Sequence, residues 1–351
     1  MIRDRAAGAI LGGLIGDALG VGCHWYYDLA EMRQHHGEWI SGYTTPRVGR
    51  YHEGMKPGQL SQTGLITVML LRSVVEHKGY VESDFTHQLE TELFPELDGT
   101  AMFGPGGYTN QSIREAYLRR VEEKKPWSEA GGDADTTEAA ERAVVLAARY
   151  AKNPRMAAAT VASNSRLTQT NDIVVALGTA FDCVVSQLVA GEKLDAKLSD
   201  KLMDLVGKSD LPFQDRPLPP EPGEIDINLP GVFPNPDALL LPSWIAANVN
   251  DPGIKIDPAW KIAFVYGLPC GINYQLPTAY YLAARFADDF ESAVLHAING
   301  GGQNMSRAFL TGSLVGAQVG LSRIPHRFIN GLENSKELVE LALKLGDLAE
   351  G

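Results

Sequence analysis

The sequence predicts an all-α fold, a compact single-domain helical bundle. Apolar residues recur at helical period through most of the chain, strand signals are few, and helix starts and stops are clearly punctuated. Amphipathic helices of this kind must bury their apolar faces against one another. In chain order, the small-residue segment Gly12-Gly13-Leu14-Ile15-Gly16-Asp17-Ala18-Leu19-Gly20 comes first. Leu65, Val68, Met69, Arg72 and Val75 then mark a helix, and Asp84-Phe85-Thr86 begins another. Ala139, Ala143, Val144, Leu146 and Ala147 predict an alanine-rich helix running to Tyr150, and Asn153-Pro154 starts its successor. Gly191 closes the apolar run from Ile173 to Ala190. Between residues 211 and 258 the density of proline excludes continuous helix, leaving room for a short one around Ala238 to Asn248. That stretch reads either as a surface excursion or as a lid or dimer-contact element. Further on, Gly312, Gly316 and Gly320 lie in a helix pattern starting at Ala308 and permit close backbone approach. No tandem repeat divides the chain, and residues 1–351 are taken as one domain.

Composition narrows the class of function. A 351-residue chain with 44% hydrophobic and 21% charged residues is expected to bury a sizeable core as a soluble globular protein. A formal net charge of -12 disfavours nucleic acid or an anionic membrane surface as partner, because both reward clustered Lys and Arg. The isolated Cys23, Cys183 and Cys270 suggest neither a disulfide framework nor a zinc ribbon, and fit a reducing compartment. The N-terminal residues lack a long h-region and an Ala-x-Ala cleavage pattern, and no eighteen uncharged apolar residues follow one another. The expectation is a cytoplasmic protein, monomeric or homodimeric, with a small-molecule ligand.

Several groups have the chemistry of a site. Asp17, framed by glycines, is expected at a helix end, as either a buried cap or a pocket-facing acid. His24, Trp25, Tyr26 and Tyr27 are suited to stacking on a nucleobase or sugar, and equally to core packing. Asp133 and Asp135 precede a helix, where the macrodipole and capping favour acids. Alternatively one of them joins Asp17 as an acid/base pair around a glycosidic bond. The glycine loops Gly104-Pro105-Gly106-Gly107 and Gly300 to Gly302 are candidates for presenting backbone amides to a phosphate, with Arg307 as an anion partner or a solvated side chain.

The segment Gly12 to Gly20, the segment Gly58-Gln59-Leu60-Ser61-Gln62-Thr63-Gly64 and the segment Asn299-Gly300-Gly301-Gly302-Gln303-Asn304-Met305-Ser306-Arg307 together resemble the ADP-ribosylglycohydrolase family. Leu167-Thr168-Gln169-Thr170-Asn171-Asp172 is similar to that family's Thr-His-x-Asp-Pro segment, with Gln169 at the usual histidine. Gly107-Tyr108-Thr109-Asn110-Gln111-Ser112-Ile113-Arg114, with the altered last segment, resembles a side branch that includes the J-type crystallins of jellyfish lens. The resemblance runs from Gly8 to Pro325 and implies an orthogonal helical bundle. In the family the second and third segments read Gly-x-Trp-Thr-Asp-Asp-Thr and Gly-Gly-Asp-Thr-Asp-Thr, and their carboxylates hold two magnesium ions. The matching positions here are Ser61, Gln62, Thr63, Gln303, Met305 and Ser306, which carry no negative charge. Magnesium is a hard cation usually held by carboxylates, and a thioether is too soft for it, so no dinuclear magnesium centre, no other metal and no cofactor are expected.

The resemblance implies a divergent hydrolase acting on a glycosidic or ADP-ribose-related bond without that centre. The alternative is a non-catalytic ligand-binding or crystallin-like structural protein of the same fold. Asp17, Asp133 and Asp135 are the catalytic candidates. The expected ligand-binding set is His24, Ser61, Gln62, Thr63, Gly107, Tyr108, Gln169, Gly301, Gly302, Gln303, Asn304 and Arg307.

Overall fold

The computed structural model describes residues 1–215 and 231–351, and among them contains sixteen α-helices and no strand. In chain order they are α1 (Ile2–Val21), α2 (Leu29–His36), α3 (Gln62–Glu76), α4 (Glu82–Gln88), α5 (Gln111–Tyr117) and α6 (Glu138–Arg149). Then come α7 (Pro154–Arg166), α8 (Asp172–Ala190), α9 (Leu198–Gly207), α10 (Asp237–Asn248) and α11 (Ile262–Tyr266). The last five are α12 (Ile272–Arg285), α13 (Phe290–Asn299), α14 (Asn304–Val319), α15 (His326–Gly331) and α16 (Ser335–Glu350).

Local chemistry explains several boundaries. The Ser61 hydroxyl accepts from the Thr63 and Gly64 amides and starts α3, and the Asn153 side chain accepts from the Met156 amide ahead of Pro154. The Asn171 side chain caps α8, and Gly191, in the left-handed region at φ 118°, ends it. Asp84 departs from the expectation: α4 starts at Glu82, and Asp84 instead accepts from Ser73 and Gln88 and pairs with His77. Asp133 and Asp135 do not cap α6 either, whose first turn follows Thr137 without a side-chain cap.

The centre of the bundle is the pair α1 and α14. Every residue from Ala6 to Val21 is buried, as is nearly all of α14. A helix apolar all round belongs inside a protein. The two backbones touch: a Cβ on Gly12 would overlap the Gly312 carbonyl, and one on Gly8 would overlap that of Gly316. Around this pair pack α16, α13, α12, α6 and α8. Among the described helices, α8 alone is long and apolar enough to cross a membrane by length and composition, but 78% of its apolar window is buried against the other helices and it carries Asp182.

The expected short helix around Ala238 to Asn248 is present as α10. The ends of the described chain on either side of residues 216–230 meet where the Gln214 amide donates to the Phe233 carbonyl at 3.0 Å and the Phe233 amide to the Pro212 carbonyl at 2.8 Å. Pro217, Pro219, Pro220, Pro222 and Pro230, on which the lid or dimer-contact reading partly rests, lie outside the described residues.

Candidate functional site

Four segments converge where α1, α3 and α14 meet: the turn after α1, the loop before α3, the 104–110 loop and the N-terminus of α14. The second and third family-like segments come together here, but their polar groups bond mainly to protein. Asp17 is fully buried; its Oδ2 accepts from the Ser61 amide at 2.8 Å and its Oδ1 from the Ser61 hydroxyl at 2.6 Å. Burial pushes its pKa up to about 6 against the pull of those two bonds. It is a cap tying α1 to α3. The Gln62 side chain donates to Thr109 Oγ1 at 3.1 Å and accepts from the Asn110 amide at 3.1 Å, while Asn110 Nδ2 donates to Thr63 Oγ1 at 2.6 Å.

At the head of α14, Gln303 Nε2 donates to Ser306 Oγ at 2.7 Å, and Gln303 Oε1 accepts from the Trp25 indole and the Cys270 thiol. Asn304 Nδ2 reaches the Cys23 carbonyl at 2.9 Å. Met305 packs where Gly20 leaves room for it. The glycine loop is not an open phosphate cradle: the Gly302 amide is taken by the Tyr26 carbonyl at 2.7 Å and the Gln303 amide by the Leu268 carbonyl at 2.9 Å. Arg307 is wholly buried and donates to the Ala297 and Gly301 carbonyls, stapling the loop to α13. Its guanidinium pKa is depressed to about 9 by burial, against a weaker pull from Cys23 and Tyr27.

Gln169 has a structural position too. Its Oε1 accepts from the Ala139 amide at 3.0 Å, and its Nε2 donates to the Ala134 and Thr136 carbonyls at 2.8 and 2.9 Å. It therefore holds the 131–139 segment in place. Asp133 is exposed and accepts from Asn171 Nδ2 at 3.3 Å. Asp17 and Asp133 are thus not brought together, one sealed in the core and the other at the surface.

An aromatic cluster lies beside these segments. The Trp25 indole stacks on His24 at 5.0 Å and meets the edges of Tyr51 at 4.4 Å and Tyr108 at 5.1 Å. His52 lies 5.2 Å from His24 and contacts the Gly106 carbonyl through Nδ1. Trp25 at φ 58° and His52 at φ 67° both hold left-handed backbone, which costs a bulky residue roughly 1–2 kcal/mol. Gly107, also at positive φ, lets the 104–110 loop lie directly on His52. Burial lowers the pKa of both histidines, taking His24 well below its ordinary value with the His52 imidazole adding to the effect, while the Gly106 carbonyl partly offsets the shift at His52.

Of the acids near these rings, Asp135 was a candidate from sequence, and Glu138 and Glu141 were missed by motif reading. Glu138, at the start of α6, is buried and accepts from the Ser112 hydroxyl at 3.1 Å and from Thr136. Burial raises its pKa. Its charge is felt by Tyr108, and together with Asp135 it reinforces the effect of burial in pushing the Cys270 thiol up to about 11. Asp135 is exposed, with its carboxylate over Gly271 and its carbonyl accepting from the Ile272 amide at 2.8 Å. One turn deeper, Glu141 has no exposed surface; burial, then Glu138 and Asp17, push it up to about 8. Acids three apart in an alanine-rich run were the available signal, and they read more simply as a solvated helix face.

These donors do not suit a magnesium pair. The oxygens at the family's ligand positions are neutral and bonded to protein, and Asp17 is occupied by Ser61. Among the described residues, no group of three or more His, Cys, Asp or Glu side chains is arranged to hold a metal ion.

A family model described as ADP-ribosylglycohydrolase matches residues 1–351. Crystallin J1A of Tripedalia cystophora is 25% identical over 378 residues, covering 99% of this chain and 97% of that protein. A solved structure described as an ADP-ribosylglycohydrolase-related protein complex superposes with a TM-score of 0.64 at 18% identity, over 99% of both chains, a likeness of fold.

Proposed function

This chain belongs to the ADP-ribosylglycohydrolase family, and we propose that it is a divergent hydrolase that binds an ADP-ribose-related small molecule at the Trp25–Tyr51–Tyr108 cluster and cleaves a glycosidic bond without a magnesium pair. The observation that carries this reading is Glu138, a buried carboxyl group held by Ser112 and Thr136 whose charge acts on Tyr108, with both it and the exposed Asp135 carboxylate acting on the Cys270 thiol. Burial favours the protonated form of Glu138, the form a general acid needs. In the proposed step Glu138 gives its proton to the leaving group as the glycosidic bond breaks. Asp135 takes a proton from the water whose oxygen bonds to the anomeric carbon, so water is added across the bond. The aromatic rings supply stacking surface for a planar base or a sugar face.

A non-catalytic, ligand-binding or crystallin-like role is the second reading. It is favoured by the extent to which Ser61, Gln62, Thr63, Gln303 and Asn304 bond to protein, and by the similarity to a protein named as a crystallin.

Titration calorimetry of ADP-ribose into the full chain, with magnesium and then with a chelator, tests the binding half. Equal affinity in both conditions is expected, and no binding in either overturns it. Release of ADP-ribose from N- and O-linked conjugates tests the catalytic half. Glu138→Gln is expected to abolish release while leaving ADP-ribose affinity within about threefold, as loss of an acid acting only in the transition state requires. Binding without release by the unaltered protein favours the second reading.

A further inference from the structure

Away from the aromatic cluster, α3, the first turn of α16 and the segment 89–96 enclose a cavity of about 360 Å³. Leu60, Val68, Met69, Leu93 and Leu338 give it an apolar lining, in which the unbranched Met69 adapts to shape. Its mouth is acidic. Glu92, Glu96, Glu333 and Glu337 stand around it, with Arg72 as the only cationic side chain in the wall among the described residues. Arg72 is committed to Glu337 at 2.7 Å, and Glu333 accepts only from the neutral Gln59 amide at 2.9 Å. Glu92 and Glu96 are exposed and have no ion pair among the described residues.

Backbone geometry around the cavity is unusual as well. Leu89–Leu93 is a π-helical turn, a feature that recurs at functional sites, and α16 is entered through Asn334 in the left-handed region at φ 57°. None of the rings of the aromatic cluster lines the cavity, and Gly106 in its wall is the residue that His52 contacts.

We propose that this cavity binds a small amphiphilic cation, with a ring-sized apolar body against the Val68–Leu93–Leu338 lining and an ammonium head among Glu92, Glu96 and Glu333. The volume lies at the small end of ligand pockets, which suits a body of one or two rings. The unmatched carboxylates attract a cation, and they disfavour an anion of the same shape by like-charge repulsion.

Three probes with one indole ring and different heads test this by calorimetry on the full chain: tryptamine (cationic), tryptophol (neutral) and indole-3-propionate (anionic). Tryptamine is expected to bind tightest, tryptophol about fivefold or more weakly, and indole-3-propionate without measurable heat, with the cation preference shrinking at high salt. The surface double variant Glu92→Gln/Glu96→Gln is expected to bring tryptamine down to the affinity of tryptophol. Val68→Phe, checked for an unchanged circular dichroism spectrum, is expected to abolish binding of both; should it fail to fold, the surface variant carries the test. Equal affinity for all three probes, no binding of tryptamine at millimolar concentration, or a cation preference that persists in Glu92→Gln/Glu96→Gln overturns the proposal.

Discussion

Glu141 couples the core to pH. Its pKa of about 8 in the fold, against an ordinary value of 4.5, means that the folded chain holds a proton which the unfolded chain releases at much lower pH. Stability from this group is therefore lost as pH rises from about 4.5 through 8. Asp17, raised from 3.8 to about 6, acts with the same sign in its own window. His24 acts oppositely, since a buried neutral imidazole costs stability as pH falls below its ordinary 6.5. The unaltered protein sums these opposed slopes, and Glu141→Gln isolates one of them while keeping an acceptor for Thr137. By urea denaturation, the variant is expected to gain on the unaltered protein between pH 4.5 and 8.5 by about 3–5 kcal/mol, as the size of the shift requires. A difference that stays flat with pH contradicts the assignment. Among individual residues, Asp17 as a buried cap was one of two readings open from its glycine frame. Gln169 as a staple was not readable, because its partners lie 30 to 35 residues away in sequence.

The seam between α1 and α14 is the element most exposed to a single substitution. Gly312, Gly316 and Gly320 already announced a helix open to close approach, and the fold shows that its partner is α1, through Gly8 and Gly12. A methyl group at Gly312 would overlap the Gly12 carbonyl, and neither backbone can yield as a side chain tip would. Gly312→Ala is expected to cost about 1–3 kcal/mol or more through forced separation of the helices, read as a lower urea midpoint with unchanged m-value. An unchanged midpoint would mean that the seam is looser than these contacts. The helix limits at Asn153 and Gly191 were read from sequence, whereas Ser61 and Asn171 showed themselves as caps only in the fold. The start of α4 was not, because Asp84 is drawn away by Ser73 and Gln88.

At the level of the molecule, a ligand that binds only the folded state raises its melting temperature by mass action. A neutral, internally bonded donor set has little to offer magnesium, so excess magnesium and a chelator are expected to give melting temperatures within about 1 °C of each other. A rise of several degrees with magnesium would revive a metal centre. Apolar periodicity, glycine spacing and the replacement of acids by Ser61, Gln62, Thr63, Gln303, Met305 and Ser306 were enough to specify an all-helical member of this family with an altered site. Those properties depend on residue type in local order. Which acids lie near the aromatic rings, and which polar groups are consumed inside the protein, was decided by the fold. Asp17 meets Ser61 across 44 residues and Trp25 meets Gln303 across 278, and burial sets the proton affinity of Glu138 and Glu141. Hydrogen bonding and desolvation act between whatever groups packing brings together, and no local pattern encodes that neighbourhood.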